Sequence, residues 1–156
     1  MDSPLIKSRA IGHDNLPLFF KSLAKAAGVL VTAIGWVVIL GWLFDIPTLK
    51  SILPLWVTMK ANTAIGFILG GSALWQLSKS PRRSPYAARI LAAIVLCIGL
   101  LTLIQYGFGI SLGIDQLLFQ ESATAVGTSA PGRMAANTAL NFLLLGSALF
   151  LLSRPR

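Results

Sequence analysis

The chain has one cysteine, one histidine and five acidic residues in 156, and charged residues of both signs make up only 12% of it. Each scarcity removes a class of function. A lone Cys97 leaves no internal disulfide and no dithiol pair, and within its apolar run it reads as a buried, inert thiol. The single histidine, His13, lies in the N-terminal tail, so a haem held by paired histidines is excluded. No His, Cys, Asp and Glu recur at the spacing of a metal site. No ionisable residue interrupts the long apolar runs, which argues against proton-coupled transport. The sequence therefore predicts a protein that is not an enzyme and that carries no cofactor and no metal.

What is abundant is apolar surface: 55% of the residues are hydrophobic, and the mean hydropathy is +0.77. That excess is too large for a soluble domain of this length. Four runs, 26–44, 61–78, 90–110 and 135–153, reach or approach the roughly 20 apolar residues that a bilayer crossing needs. Backbone groups in hydrocarbon must be satisfied within their own segment, and no run alternates as a barrel strand would, so each run reads as a helix. The remaining stretches are an N-terminal cytoplasmic or interfacial segment (1–25), outer loops (45–60 and 111–134) and a cytoplasmic loop (79–89).

The cations decide the orientation. Lys7, Arg9, Lys21 and Lys25 precede the first run, Lys79, Arg82, Arg83 and Arg89 lie between the second and third, and Arg154 and Arg156 follow the fourth. The opposite loops hold only Lys50, Lys60 and Arg133, cancelled by Asp45, Asp115 and Glu121. Both termini are thereby predicted to be cytoplasmic. The net charge of +8 becomes a juxtamembrane stripe facing anionic lipid. Nucleic acid is not an expected partner, because no soluble module with interleaved aromatics is present. Leu49, Ile52, Leu53 and Trp56 build an apolar helical face in the first outer loop, and Leu117-Leu118-Phe119 is a shorter counterpart in the second. The stretch from Glu121 to Gly132, rich in Ser, Thr, Ala and Gly, reads as flexible.

An internal repeat organises the chain. Met59 to Leu77 and Met134 to Leu152 are identical at twelve of nineteen positions at an offset of 75. Ala61-Asn62-Thr63-Ala64 matches Ala136-Asn137-Thr138-Ala139, and Gly71-Ser72-Ala73-Leu74 matches Gly146-Ser147-Ala148-Leu149. Because the second and fourth runs point the same way, the repeat is parallel, with a pseudo-twofold axis along the membrane normal. The predicted fold is an all-α integral membrane four-helix bundle made of two such helical hairpins.

Three sets of residues stand out as candidate sites. Ala64, Phe67 and Gly71, matching Ala139, Phe142 and Gly146, form a helix-packing stripe that reads as the seam between the two halves. Gly66, Gly70 and Ala73, with Trp56, form a second face that suits a protein partner or another copy of the chain, whereas Asn141 replaces Gly66 and, with Gln105, marks a candidate cleft. Finally, Asn62, Thr63, Asn137 and Thr138 beneath Asp45 and Asp115 outline a polar pocket open to the outer face. Helix capping by Asn62 and Asn137 explains part of the same pattern, and anion binding at paired helix N-termini is the functional alternative.

Several of these stretches are familiar together: Gly41-Trp42-Leu43-Phe44-Asp45-Ile46-Pro47, Thr58-Met59-Lys60-Ala61-Asn62-Thr63-Ala64, Gly113-Ile114-Asp115-Gln116-Leu117-Leu118-Phe119 and Pro131-Gly132-Arg133-Met134. Over about residues 25 to 153 the chain resembles the N-terminal membrane regions of bacterial sensor histidine kinases and of diguanylate cyclases with PAS and GGDEF domains. The resemblance implies a multi-pass inner-membrane input or anchoring module. Its implied partners are lipids and a kinase or cyclase output chain. An accessory subunit of a larger membrane complex is the alternative. It implies no catalytic or ligand residue.

Overall fold

The computed structural model describes residues 16–51, 58–79, 86–121 and 130–154, and those residues are helical with no strand among them. In chain order the helices are α1 (Leu16–Leu43), α2 (Pro47–Lys50), α3 (Ala61–Leu77), α4 (Tyr86–Phe108) and α5 (Ala136–Leu152), with a single 3-10 turn at Ile114–Gln116 before α5. Two of them, α1 and α4, are long and apolar enough to cross a membrane.

Helix α1 starts ten residues before the first apolar run. Pro17 falls in the opening turn, where its missing N–H costs nothing, and no breaker follows. Its 28 residues span about 42 Å, more than the roughly 30 Å of bilayer hydrocarbon, so the end carrying the exposed Lys21 and Lys25 reaches past an apolar layer of that thickness. At its other end Asp45 takes a left-handed conformation (φ 52°) while the Ile46 N–H bonds back to the Gly41 carbonyl at 2.9 Å. That is a Schellman closure built on an aspartate in place of glycine. Pro47 then opens α2, which folds back so closely that a Cβ on Gly41 would meet Leu49 Cβ at 2.7 Å.

Helix α3 takes the central position. Along one side lies α1; along the other lie α4 and, less extensively, α5, which itself packs along α4. Glycines set the closest approaches. Gly28 and Gly71 face each other across α1 and α3, and Gly35 sits on the Ala64 carbonyl and Ile68. In the second hairpin Gly99 sits on the Ala139 carbonyl and Leu143, and Gly146 on the backbone of Leu96. The small residues of each stripe, Ala64 and Gly71 in the first hairpin and Ala139 and Gly146 in the second, therefore pack inside their own hairpin, while the aromatic members Phe67 and Phe142 meet between the halves.

The seam between the halves is the face expected to serve a partner. Gly66 leaves room for the Phe142 ring, Gly70 approaches Leu145 and Val95, and Ala73 is fully buried in a cluster with Ala92 and Leu149. Phe67 meets Phe142 edge to face at a centroid distance of 5.9 Å. Val95, Met134, Ala139 and Phe142 complete this core. On α5 the matching positions Asn141, Leu145 and Ala148 are exposed. Among the described residues α1 makes no contact with α5 comparable to that of α3 with α4. The face of α5 that corresponds to Gly66 and Gly70 of α3 carries Asn141 and Leu145 and has no second hairpin against it among the described residues.

Cys97 also departs from expectation. It is exposed on α4, because Val95, Gly99 and Thr102 take the inward stripe of that helix. Residues 52–57, with Trp56 and most of the first loop's apolar face, lie outside the described residues, as do residues 122–129 of the stretch read as flexible.

Candidate functional site

The polar chemistry gathers at one end, where the C-terminal ends of α1 and α4 meet the N-terminal ends of α3 and α5. The three cations and three acids at this end pair one to one: Lys50 with Asp45, Lys60 with Glu121 and Arg133 with Asp115.

Asp115 is the hub of the largest group. Gly113 (φ 74°) turns the chain after α4 into the 3-10 turn, which aims the Asp115 side chain inward. Its carboxylate accepts from Arg133 Nε at 2.9 Å and from Gln105 Nε2 at 3.1 Å. Gln105, fully buried on α4, accepts in turn from the Leu112 N–H at 2.9 Å and from Arg133 Nη2 at 3.2 Å. The Ile110 carbonyl takes a further Arg133 bond at 3.1 Å. Gly132 (φ 72°) permits this closure, since a Cβ there would overlap the Asp115 carbonyl.

A second group crosses between the hairpins. Glu121 accepts from Lys60, from Thr58 Oγ1 at 3.1 Å and from the Gly132 N–H at 2.7 Å. Asn62 Nδ2 donates to the Ile114 carbonyl at 3.2 Å, and Phe119 rests on Trp42 with ring centroids 5.7 Å apart. Trp42 Nε1 donates to the Met59 carbonyl at 2.9 Å, and Tyr106 Oη to the Met134 carbonyl at 3.0 Å. No buried side-chain nitrogen or oxygen among the described residues lacks a partner, and none of them form a metal-binding group of three or more His, Cys, Asp or Glu. Chemically the arrangement does one thing well: it neutralises the loop charges internally and pins the second loop to the first hairpin.

The expected pocket is assembled only in part. Asn62 and Asp115 come together through the 3-10 turn, and Thr63 is buried beside Asn62 in the first turn of α3. Asp45 stands outside with its side chain 92% exposed on Lys50, Asn137 is exposed, and Thr138 is half-buried. Neither asparagine is an N-cap. Lys60 and Ala135 hold those positions without a side-chain cap, and Asn137 accepts from the neighbouring Thr138 N–H at 2.8 Å. Nor do Gln105 and Asn141 share a cleft, since one is committed to Asp115 while the other faces outward. Lys60, Glu121, Arg133, Thr58 and Tyr106 were not read as site residues from the sequence. The signal that could have found them is the equal number of cations and acids in the outer loops.

Glu121 makes this group acid-sensitive. Burial raises its pKa, but the Lys60 hydrogen bond, the Gly132 N–H, the Lys60 charge and the Thr58 hydroxyl together outweigh that and hold the carboxyl below its ordinary value of 4.5. A depressed folded-state value means that the stabilisation is complete above pH 4.5 and is lost as pH falls through the folded value. We expect the thermal midpoint of the protein in detergent to fall below that pH, with a shallower fall in Glu121→Gln; identical slopes would show that Glu121 is not the titrating group.

No protein-family model matches the chain, and neither a curated protein nor a solved structure does.

Proposed function

We propose that the chain is a non-enzymatic membrane input or anchoring module of a bacterial signalling system, acting through helix packing on an output domain or partner chain. In this reading it is a multi-pass protein of the inner membrane. It is a four-helix bundle of two parallel hairpins with α3 at the centre, both termini being cytoplasmic. Large apolar side chains that point outward along α1, α4 and α5, among them Leu30, Trp36, Ile94 and Leu144, support the membrane setting. Exposed apolar surface on this scale is unstable against water and suits lipid. Matching contacts of Gly35 and Gly99, and of Trp42 and Tyr106, support the hairpin repeat.

The observation that carries the signalling reading is the attachment of the outer network to helix seams without slack. Gln105 and Asn62 tie the second loop to α4 and α3, and glycines bring α3 and α4 into backbone contact with their neighbours. A cue that displaced the loop would therefore shift whole helices and be felt at the opposite, cationic end. The test is purification of the untagged protein from its native membranes in mild detergent, with mass spectrometry of what accompanies it. A stoichiometric kinase or cyclase is the expected result. A large unrelated complex would make the chain an accessory subunit, and recovery of a small oligomer alone would overturn both readings.

A further inference from the structure

Thr32, Thr102 and Ser147 each turn a hydroxyl onto the carbonyl four residues back, so these polar groups are satisfied within their own helices. Asn141 on α5 is not. It is exposed, and its amide bonds to nothing among the described residues. It is also deep. A Cβ on Gly99, the fourteenth of the 23 residues of α4, would lie 2.6 Å from the Ala139 carbonyl oxygen and 2.7 Å from the Leu143 nitrogen, so Asn141 stands level with the middle of a helix long enough to cross a membrane. Ala139, Phe142, Gly146 and Leu149 are buried on the inner side of α5, while Asn141, Leu144, Ala148 and Leu151, spaced by three, four and three residues, are exposed on the opposite side. That spacing is the alternating a and d seam of a coiled coil, with the asparagine at an a position. On α3 the positions matching Asn141 and Ala148, Gly66 and Ala73, are already covered by the second hairpin.

We propose that two copies of the chain pair through this outer face of α5, parallel and in register, with their Asn141 amides bonded to each other. The proposal rests on the membrane reading above and goes beyond it by naming what covers α5. In hydrocarbon no water takes the bonds of an amide, and lipid tails offer none, so an outward Asn at this depth is costly until another helix supplies a partner. A second copy supplies it without any further requirement. Copies inserted the same way run in the same direction, so a twofold axis along the membrane normal brings Asn141 against its own counterpart. Each amide then provides the donor and the acceptor that the other lacks. A single Asn at an a position also fixes register, which the leucines and Ala148 beside it would leave free to slide.

The full chain, carrying a donor or an acceptor fluorophore at its N-terminus, is reconstituted into phosphatidylcholine vesicles, and energy transfer is followed as the protein is diluted with lipid. Transfer should show a pair of chains that dissociates on dilution. Asn141→Leu should weaken the pair about tenfold, whereas Asn141→Gln, which keeps the amide, should stay close to the parent. Because Asn141 faces outward, the thermal midpoint of Asn141→Leu in detergent should not fall. In a Cys97→Ser background, Ala148→Cys should form a disulfide-linked dimer under mild oxidation several-fold faster than Ile94→Cys, which is exposed on α4. A monomer at every dilution overturns the pairing, as does a pair that is equally strong in Asn141→Leu or equal linking at the two cysteines. In each of those cases a chain that stays in the vesicles through alkaline washing leaves the membrane reading intact. Release of the chain by that wash overturns the membrane reading, and the pairing with it.

Discussion

Replacing Arg133 by Met should cost about 3–5 kcal/mol of stability. Both members of the Arg133–Asp115 pair are nearly out of solvent, with side chains 11% and 6% exposed. Burial of a charge is costly, and that cost is offset here by the ion pair and by the bonds through Gln105. Without the guanidinium, Asp115 keeps only Gln105 Nε2 among these side-chain donors, and the Ile110 carbonyl loses its Arg133 partner. Removing both charges is a different matter: Arg133→Met/Asp115→Leu should recover much of the loss, because no unpaired charge remains. Thermal unfolding of the parent, the two single variants and the double variant in one detergent gives the coupling directly. A single variant within about 0.5 kcal/mol of the parent, the usual span for surface substitutions, would mean that water already screens this pair.

The second large effect belongs to Gly146. Even a Cβ at this position would lie 2.6 Å from the Leu96 amide nitrogen and 2.8 Å from its Cα, atoms that no rotamer change can move. Leucine there must push α5 away from α4, and overpacking of this kind costs about 3 kcal/mol. Better helix propensity returns no more than about 1 kcal/mol. Gly107 provides the control, since a Cβ added there meets nothing within 4 Å and the residue is exposed near the end of α4. Gly107→Leu should be neutral or slightly stabilising. Equal midpoints for the two variants would show that the seam has slack, and the mechanical coupling proposed for the module would go with it.

These two residues, Arg133 and Gly146, also divide what the chain reveals before folding from what it does not. Gly146 was legible as a packing residue, because its spacing from Ala139 and Phe142 puts it on one helical stripe and the first hairpin repeats the pattern. Its partner was not legible. A stripe records that something approaches closely, and both the preceding helix and the other hairpin were available to do so. Gly66, Gly70 and Ala73 show the same ambiguity reversed, since a flat face offered to a foreign partner and one filled by Phe142 look identical along the chain.

Arg133 was harder still. Its pairing with Asp115 spans eighteen residues and depends on two left-handed glycines and a 3-10 turn, none of which follows from periodicity. What could be read was the balance of charge: three cations and three acids in the outer loops. Which cation meets which acid is set by loop closure, which is a property of three-dimensional path.

By itself, then, the sequence determined the helical class, the repeat and the segregation of most cations to one end, because these depend on local periodicity and composition. Only the tertiary structure decided that α3 is central, that each glycine stripe closes its own hairpin and that the outer charges cancel in pairs. Those outcomes turn on contacts between distant segments, which local periodicity does not record.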